Sequence, residues 1–594
     1  MKFFKYVFAS ALGTIIAGIF LLIVLVGLVL GSITAAFDDF ASEKRESISS
    51  NSVLTLKLDG AIVDRSKKDD IEIPGFTEKS FGLNKILENI EKAGEDDKIE
   101  GIYLNVSGIS TGIASIEAIR NKLMEFKESG KWIVAYSEYY SQGAYYLASS
   151  ADEIYLNPEG TVAFQGINYK PMFMKEMFDK IGVEMQIIRG KNNKFKSAVE
   201  PFMYNKMSEA NREQSKKLIF SIWDQIVNEI AASRGMTIEN VNEVANSLAG
   251  MFPKKVLEAD FVDGIIYQDE MMAILAEKLD VEELDGDQLV EFSRYAKTRL
   301  KKTKSSDYKK KRIAVIYAVG AIQSGKGDDQ TIGSERIAGA IRDARKDTTV
   351  KAIVLRVNSP GGSASASDVI WRETVLAAQA KPLVVSMGDY AASGGYYIAM
   401  AADKIYSQPN TITGSIGVFG VIPNAQELLN DKMGLHYDGV KTNTHSDIME
   451  ISRPLTESEY SIIQESVDHV YSSFTSKVAD GRDLRQSYVD SIGQGRVWTG
   501  LDALENGLVD EIGGLEDAID YAVEMAGLDE YRIKELPIQK SPIEQLFEDM
   551  GMQASEKVME QMLSDYHLLQ EHRYIQSILN MKGIQTVLPI RVSL

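Results

Sequence analysis

Residues 388–417 read GDYAASGGYYIAMAADKIYSQPNTITGSIG, and the rest of the chain can be organised around this stretch. Ser393 lies between two alanines and two glycines, so no neighbouring side chain buries its hydroxyl or blocks a substrate. The helix-like run that begins at Tyr396 follows directly. A small-residue turn that opens a helix presents backbone N–H groups, which can hold an oxyanion. Ser393 is therefore a candidate nucleophile, although a tight turn before a buried helix would look the same.

A second glycine turn lies upstream, where residues 353–362 read IVLRVNSPGG. An apolar strand that runs into Pro360, Gly361 and Gly362 leaves backbone amides exposed at the end of the strand. Open α/β folds commonly place their sites at such strand ends. The turn is therefore a second candidate part of a site, with tight backbone packing as the alternative explanation.

The chain contains an internal sequence repeat in which the two copies have diverged. A shift of 251 residues lays residues 385–406 over residues 134–155 with ten of 22 positions identical, against about one or two expected from average composition. In the first copy Gln142 stands where Ser393 stands, and Ser110 and Thr111 replace the two glycines. A tandem duplication in which one copy has lost both features argues that Ser393 is more than a turn residue.

Both copies alternate apolar strands with amphipathic helices, the pattern of a mostly parallel α/β fold. We expect a first repeat at residues 50–298 and a second repeat at residues 313–527. The basic stretch 299–312 between them reads as an exposed linker. We assign residues 528–594 to a C-terminal helical extension, because segments from Ser541 onward show apolar residues at helical spacing, and we expect it to pack in the core or in an oligomer.

The N-terminal residues 1–37 predict a signal anchor. Lys2 and Lys5 precede an apolar run, and no further charged residue occurs until Asp38. Residues 8–33 can span a hydrocarbon core of ~30 Å as a helix, and the positive-inside rule leaves the N-terminus in the cytoplasm. The alternative is a signal peptide cleaved near residues 34–36, but the run exceeds the usual apolar region of about 7–15 residues.

Composition excludes several classes of function. The net charge of −20 argues against nucleic acid as the main partner. The absence of cysteine excludes thiol catalysis, cysteine metal sites and disulfides. With 44% hydrophobic and 25% charged residues, the chain has the composition of a folded globular protein.

A serine nucleophile needs a base. None of the five histidines lies in the glycine-rich core of either copy, and His445, in a polar loop, is the best placed of them. Lys196, in KSAVEPF, lies between a basic loop and an apolar stretch, and burial can lower a lysine pKa by ~3–5 units. A solvated surface lysine is the alternative. The second copy has no lysine in the corresponding region, so one site assembled from both copies is a possible arrangement.

Four separated motifs resemble signal peptide peptidase A (protease IV) in its long, duplicated form. They are ASGGYY at 392–397, TGSIG at 413–417, KSAVEPF at 196–202 and GRVWTG at 495–500. The resemblance implies tandem Clp protease/crotonase-like spirals of ββα units and a membrane-anchored homo-oligomer, a tetramer in this family. It also implies a bacterial inner-membrane location with the catalytic part outside the cytoplasm. The implied substrates are released signal peptides and other extracytoplasmic peptides, and no metal or cofactor is implied.

Carried over by motif, the resemblance makes Ser393 the nucleophile and Lys196 the general base. Ser415 would orient the lysine amine, with a loop-capping hydroxyl as the alternative. The amides of Gly394 and of Gly361 or Gly362 would form the oxyanion hole. Two other functions remain open, namely a catalytically silent peptide-binding membrane scaffold and a crotonase-type acyl-CoA enzyme. The anchor and the lack of a suitable carboxylate pair argue against the second.

Overall fold

The computed structural model describes residues 48–66, 80–298, 311–539 and 584–587, together with the isolated residues 13 and 18. The predicted span at 8–33 lies outside this part of the chain apart from those two residues, as do most of the linker and residues 540–583. Among the described residues, no helix is long and apolar enough to cross a membrane.

The first repeat alternates strands and helices as expected. Its strands are β1 (Ser52–Leu56), β2 (Ala61–Val63), β3 (Ser80–Gly82), β4 (Ile99–Leu104), β5 (Trp132–Ser141), β6 (Glu153–Ala163), β7 (Glu184–Arg189), β8 (Gly264–Ile265) and β9 (Leu289–Glu291). Its helices are α1 (Leu83–Glu95), α2 (Ile113–Glu128), α3 (Gln142–Ala148), α4 (Lys175–Ile181), α5 (Glu200–Met203), α6 (Glu209–Arg234), α7 (Ile238–Asn246), α8 (Pro253–Glu258), α9 (Gln268–Lys278) and α10 (Phe292–Tyr295).

The second repeat follows the same plan. Its strands are β10 (Arg312–Val319), β11 (Ala321–Gln323), β12 (Thr331–Gly333), β13 (Val350–Ser359), β14 (Gly361–Ser363), β15 (Leu383–Ala392), β16 (Lys404–Ser407), β17 (Ile412–Gly414), β18 (Phe419–Asn424), β19 (Val497–Thr499), β20 (Glu511–Ile512) and β21 (Arg532–Leu536). Its helices are α11 (Ser334–Lys346), α12 (Ala364–Ala378), α13 (Gly394–Ala399), α14 (Glu457–Gly481), α15 (Gln486–Ile492), α16 (Gly500–Glu505) and α17 (Leu515–Met525).

Each repeat is built on a mostly parallel sheet. The strand orders are β8-β6-β5-β4-β1-β9 in the first repeat and β19-β17-β15-β13-β10-β21 in the second. Strand β13 is buried along most of its length, as expected when helices cover both faces of a parallel sheet. The registers also match, because Tyr139 pairs with Thr161 and Tyr390 with Ile412 at the same offset of 251 residues. The structure therefore confirms a duplicated α/β fold.

A third sheet joins the two repeats. Its order is β12-β11-β14-β22-β18-β7, where β7 belongs to the first repeat and β22 is Ile584–Val587. The core of the first repeat also includes Ala392, Ile412 and Val497 of the second. The repeats thus share one sheet, and they share core packing at Ala392, the last residue of β15, which directly precedes Ser393.

The predicted helical extension differs from the structure in its described parts. Residues 528–539 contain β21, which pairs in parallel with β10 and forms the edge of that sheet, and residues 584–587 form β22. The secondary structure of these two segments is determined by pairing with neighbouring strands, and not by the local spacing of their apolar residues. The remainder of the predicted extension lies outside the described residues.

Candidate active site

Ser393 stands at the turn between β15 and α13 in an unusual backbone conformation. Its φ is 56° and its ψ is −113°, a strained geometry for a residue other than glycine that costs of order 1–3 kcal/mol. The backbone N–H of Ser393 donates to the carbonyl of Gly414 at 2.8 Å. A Cβ at Gly395 would lie 2.6 Å from the carbonyl oxygen of Ser359. The small residues of this turn are therefore needed for close packing between β13 and α13.

Lys196 reaches Ser393 from the other repeat. Its side chain is completely buried, and Nζ lies 2.8 Å from Ser393 Oγ. Nζ also lies 2.9 Å from Ser415 Oγ and 3.0 Å from the Ser415 carbonyl oxygen. The structure thus brings together the three side chains that the sequence singled out, although they are separated by 197 and 219 positions.

The backbone around Lys196 is held by contacts from helix α6 and from the loop at residues 494–495. The backbone N–H of Phe195 donates to the carbonyl of Gln494 at 2.9 Å. Gln214, on α6, donates to the carbonyl of Phe195 at 2.7 Å and to Ser197 Oγ at 2.8 Å. Gly495 has φ +79°, and a Cβ there would lie 2.4 Å from the Cβ of Lys196. The GRVWTG motif therefore begins with glycine because the lysine backbone packs directly against it.

Burial disfavours the charged form of the Lys196 amine. It lowers the pKa of Lys196 well below the usual value of lysine, and desolvation is the cause. Its hydrogen-bond partners are hydroxyl and carbonyl groups, not carboxylates. An uncharged amine in this position can accept a proton from Ser393 Oγ.

Ser415 follows β17 and faces the lysine with two oxygens. Its φ is 51°, and its backbone N–H donates to the carbonyl of Arg496 at 2.6 Å. The guanidinium of Arg496 lies over the rings of Phe195 and Trp498. These contacts hold the loop that carries Ser415 against the loop that carries Lys196.

The Pro-Gly-Gly turn lies beside the nucleophile. Ser359 pairs with Ala391 across β13 and β15, two residues before Ser393. Gly361 has φ +100°, and a Cβ at Gly362 would lie 2.0 Å from the carbonyl oxygen of Ile322. The N–H of Gly361 donates to Ser359 Oγ at 3.2 Å, so it is already engaged within the turn.

His445, the alternative base, is placed elsewhere. Its Nδ1 lies 3.3 Å from Glu459 Oε1, and Glu459 also accepts hydrogen bonds from Arg453. The imidazole is 38% exposed. The structure brings Lys196, and not His445, to the hydroxyl of Ser393.

The sequence analysis did not identify a buried polar seam behind the site, formed by Asp64, Ser115, Arg356, Asn358 and Asp389. Asp389, four residues before Ser393, accepts hydrogen bonds from the N–H and the hydroxyl of Ser115 at 2.9 and 2.8 Å. It thereby caps helix α2 of the other repeat, where Gly112 leaves room for its carboxyl group. Burial, with the nearby charge of Asp64, raises the pKa of Asp389.

The same seam holds the strand that precedes the glycine turn. Arg356 Nε donates to Asp64 Oδ1 at 2.7 Å, and both side chains are buried. Asn358 also donates to Asp64 and accepts from the N–H of Tyr390 at 3.1 Å. Arg356 and Asn358 interrupt the otherwise apolar sequence of β13. Because buried polar side chains need hydrogen-bond partners, these two residues were the sequence signal that could have indicated such contacts.

Comparison with known proteins agrees with this geometry. The model of peptidase family S49 matches residues 125–282 and 376–529, and the Clp protease family matches residues 313–413. Protease 4 of Haemophilus influenzae is 34% identical over 85% of this chain and 84% of its own length. The chloroplastic serine protease SPPA of Arabidopsis thaliana is 34% identical over 80% and 69%. A putative signal peptide peptidase SppA of Enterococcus faecium is 38% identical over 30% and 52%.

These matches favour a protease over a silent scaffold or an acyl-CoA enzyme. They also agree with tandem Clp protease-like domains, since the S49 family matches the chain twice. The chain belongs to peptidase family S49 and is a serine protease of the long SppA type.

Proposed function

We propose that Ser393 and Lys196 form a Ser/Lys dyad that hydrolyses peptide bonds through an acyl-enzyme. The observation that carries this proposal is the 2.8 Å contact between Lys196 Nζ and Ser393 Oγ, made by two completely buried side chains from different repeats. Burial lowers the pKa of Lys196, so the amine is available as a base without a histidine.

The steps follow from the contacts of the amine. Uncharged Lys196 takes the proton of Ser393 as Oγ attacks the peptide carbonyl, and then gives that proton to the leaving amine. The same lysine activates the water that releases the acyl group. Ser415 supplies two oxygens at 2.9 and 3.0 Å that accept the N–H groups of the amine, which leaves the lone pair directed at Ser393.

We assign the oxyanion hole to the amides of Gly394 and of Gly361 or Gly362. The turn that contains Gly361 and Gly362 follows Ser359, which pairs with Ala391 just before Ser393, and this supports the assignment. One donor of an oxyanion hole is worth roughly 2.7–4 kcal/mol of transition-state stabilisation.

The proposed substrates are signal peptides released from preproteins and other extracytoplasmic peptides. This rests on the four motifs and on the relative from Enterococcus faecium, which is named a putative signal peptide peptidase. We further propose that residues 8–33 anchor the protein in the bacterial cytoplasmic membrane, with the catalytic repeats outside the cytoplasm and assembled as a homo-oligomer, a tetramer. The basic residues Lys2 and Lys5 support this orientation.

The test is peptidase activity of the full chain in detergent on an apolar, signal-peptide-like substrate. Ser393→Ala and Lys196→Ala, made separately, should each abolish cleavage while the proteins stay folded. If Lys196→Ala remains active, the base is misassigned and His445 is examined next. If the unsubstituted protein neither cleaves the peptide nor becomes acylated, a peptide-binding scaffold replaces the protease mechanism proposed here.

A further inference from the structure

Strand β15 contains a bulge just before the turn that carries the nucleophile. Strands β13 and β15 pair at Val357 and Met387, and they pair again at Ser359 and Ala391. Between these two pairs, one residue of β13 faces three residues of β15, at positions 388–390. Bulges next to active sites redirect the end of a strand and leave backbone groups without a partner in the sheet. The geometry of this bulge therefore sets where β15 delivers its last residues.

The side chain of Asn358 fills the bulge and bonds to it. Its Oδ1 accepts the N–H of Tyr390 at 3.1 Å. Its Nδ2 donates to the carboxylate of Asp64 and, at 3.4 Å, to that of Asp389. A Cβ at Gly388 would lie 2.8 Å from Asn358 Cγ, so the backbone of the bulge packs directly against the amide. Every polar atom of this amide thus has a partner, and its orientation follows from them.

The backbone at Asn358 leads into the glycine turn and is held there. The carbonyl of Asn358 accepts the N–H of Gly320 at 2.9 Å. The hydroxyl of the next residue, Ser359, donates to the carbonyl of Gly320 at 2.7 Å and accepts the N–H of Gly361 at 3.2 Å. Residues 358 and 359 therefore tie the end of β15 to the strand end from which the glycine turn begins.

The first repeat satisfies the N–H at the matching position with serines. Tyr139 donates its N–H to Ser137 Oγ at 3.2 Å. Ser137 is bonded to Ser107, which stands 251 residues before Asn358. Two short hydroxyl side chains therefore hold that turn locally. In the second repeat, the longer amide spans the bulge and reaches Asp64 of the first repeat, so the strand of the nucleophile is bonded to the repeat that carries the base.

We propose that Asn358 is a positioning residue whose amide fixes the bulge in β15 and thereby the spacing between Ser393 and the amides of the glycine turn. This proposal rests on the proposed function, because the spacing matters where Ser393 attacks a carbonyl whose oxygen the turn binds. A displacement of about 1 Å in such a site costs about 10²-fold in rate. Since Asn358 acts on the geometry of the reacting groups, its loss should lower kcat and spare KM.

The first experiment separates kcat from KM in the full chain on one peptide substrate. Leucine is close to asparagine in size, but Asn358→Leu can neither accept from Tyr390 nor donate to Asp64. We expect kcat to fall about 10²-fold and KM to change less than about threefold. Asn84→Ala is the matched control, because Asn84 donates at 3.0 Å to Glu535 on β21 and not to β15, and it should leave both constants unchanged. An unchanged kcat in Asn358→Leu, or a rise in KM alone, would overturn the proposal.

The variant Asn358→Asp separates the hydrogen bonds from packing. Aspartate keeps the acceptor for the N–H of Tyr390, and its protonated form also donates. It would face the carboxylates of Asp64 and Asp389, with the guanidinium of Arg356 bonded to Asp64, and two neighbouring carboxylates favour the protonated form. At pH 6, Asn358→Asp should therefore have a kcat at least about tenfold higher than Asn358→Leu. Equal kcat values would overturn the role of the amide.

The pH dependence of labelling distinguishes positioning from a general loosening of the fold. The rate at which a serine-directed phosphonate labels Ser393 should have the same pH midpoint in Asn358→Leu and in the unsubstituted protein, because the substitution leaves Lys196 buried. The labelling rate on the alkaline plateau should fall about 10²-fold. A midpoint shifted towards the usual pKa of lysine would mean that the variant exposes the amine, and it would overturn a role in positioning alone.

Hydrogen exchange tests the bulge without catalysis. In the full chain, the amides of residues 388–391 should exchange at least about tenfold faster in Asn358→Leu than in the unsubstituted protein, and at the unsubstituted rate in Asn84→Ala. Equal exchange in Asn358→Leu would overturn the proposal while leaving the protease function intact. An unsubstituted protein that neither cleaves peptides nor becomes labelled would instead count against the proposed function, and exchange would still decide whether Asn358 holds the bulge.

Discussion

The two repeats contain the same turn with different contents. In the second repeat, Ser393 Oγ lies 2.8 Å from Lys196 Nζ. In the first repeat, Gln142 occupies the matching position, and its Oε1 accepts from the N–H groups of Gln165 and Gly166 at 3.1 and 2.9 Å. The same strand-turn-helix unit thus places a hydroxyl beside the amine of Lys196 in one repeat and holds a neighbouring loop by hydrogen bonds in the other.

The difference extends to the surrounding positions. Phe164 occupies the position of Ser415, 251 residues earlier, and packs against Trp223 and Phe261 with ring centroids 5.0 and 5.2 Å apart. At the position of the glycine turn, Thr111 Oγ1 donates to the carbonyl of Ile62 at 3.2 Å. The first repeat therefore has a buried phenylalanine where the second has Ser415, and a threonine where the second has Gly362. Its Lys196 lies instead beside Ser393 of the second repeat.

Substitution at the paired turn positions should give the largest contrast. Ser393→Ala and Lys196→Met should each lower kcat/KM by roughly 10⁴-fold or more, since the proposed dyad uses both groups in proton transfer and acylation. Gln142→Ala is the matched control in the first repeat and should leave kcat/KM unchanged. Steady-state kinetics on one peptide would check this. An active Ser393→Ala protein would remove the distinction between the repeats.

The pair Phe164 and Ser415 should separate stability from activity. Phe164→Ala should lower the free energy of unfolding by about 3–5 kcal/mol, because it empties a buried aromatic site, and should leave kcat/KM unchanged in the folded protein. Ser415→Ala should lower kcat/KM by roughly tenfold through the lost hydrogen bond to the lysine. Denaturant unfolding and kinetics together test this contrast. A Ser415→Ala protein with full activity would assign that hydroxyl to loop capping.

The seam between the repeats should be sensitive to loss of one charge. Asp64→Asn leaves the buried guanidinium of Arg356 without its carboxylate partner and should lower the free energy of unfolding by about 3 kcal/mol. Glu88→Gln, which removes an exposed ion pair with Lys85, is the control and should cost less than about 1 kcal/mol. Equal effects of the two variants in urea unfolding would show that the seam does not hold the repeats together.

The buried amine should also be visible in the pH dependence of stability. The pKa of Lys196 is lower in the folded than in the unfolded protein, so between the two values the unfolded chain binds one more proton. In this window the free energy of unfolding should therefore rise with pH by up to about 1.36 kcal/mol per unit and level off near the unfolded value of about pH 10.4.

The control for this dependence is a neighbouring lysine. Lys196→Met should remove the contribution and flatten the slope, whereas Lys194→Met, at an exposed position, should keep the slope of the unsubstituted protein. Denaturant unfolding between pH 7 and pH 11 would show the difference. Parallel slopes for the unsubstituted and Lys196→Met proteins would mean that the folded protein holds this lysine charged.

The sequence predicted the duplication and drew attention to Ser393, because a comparison of two copies shows directly where one has lost chemistry. It also singled out Lys196, whose apolar surroundings suggested burial. It could not show Asp389 as the cap of α2, because Gly112 has no side-chain signal and the two residues are far apart in the chain. It also could not show that residues 584–587 form a strand, since their pairing depends on two edges from distant segments.

The central claim, a nucleophile in one repeat served by a base from the other, is tested most directly by the pH dependence of labelling with a serine-directed phosphonate probe. Mass spectrometry should locate the label on Ser393, and its rate should rise with pH and level off below the usual pKa of lysine, because burial lowers the pKa of Lys196. Lys196→Met should react about 10²–10⁴-fold more slowly, and Gln142→Ala at the unsubstituted rate. Labelling of Lys196→Met with the same rate and the same pH profile would contradict the claim.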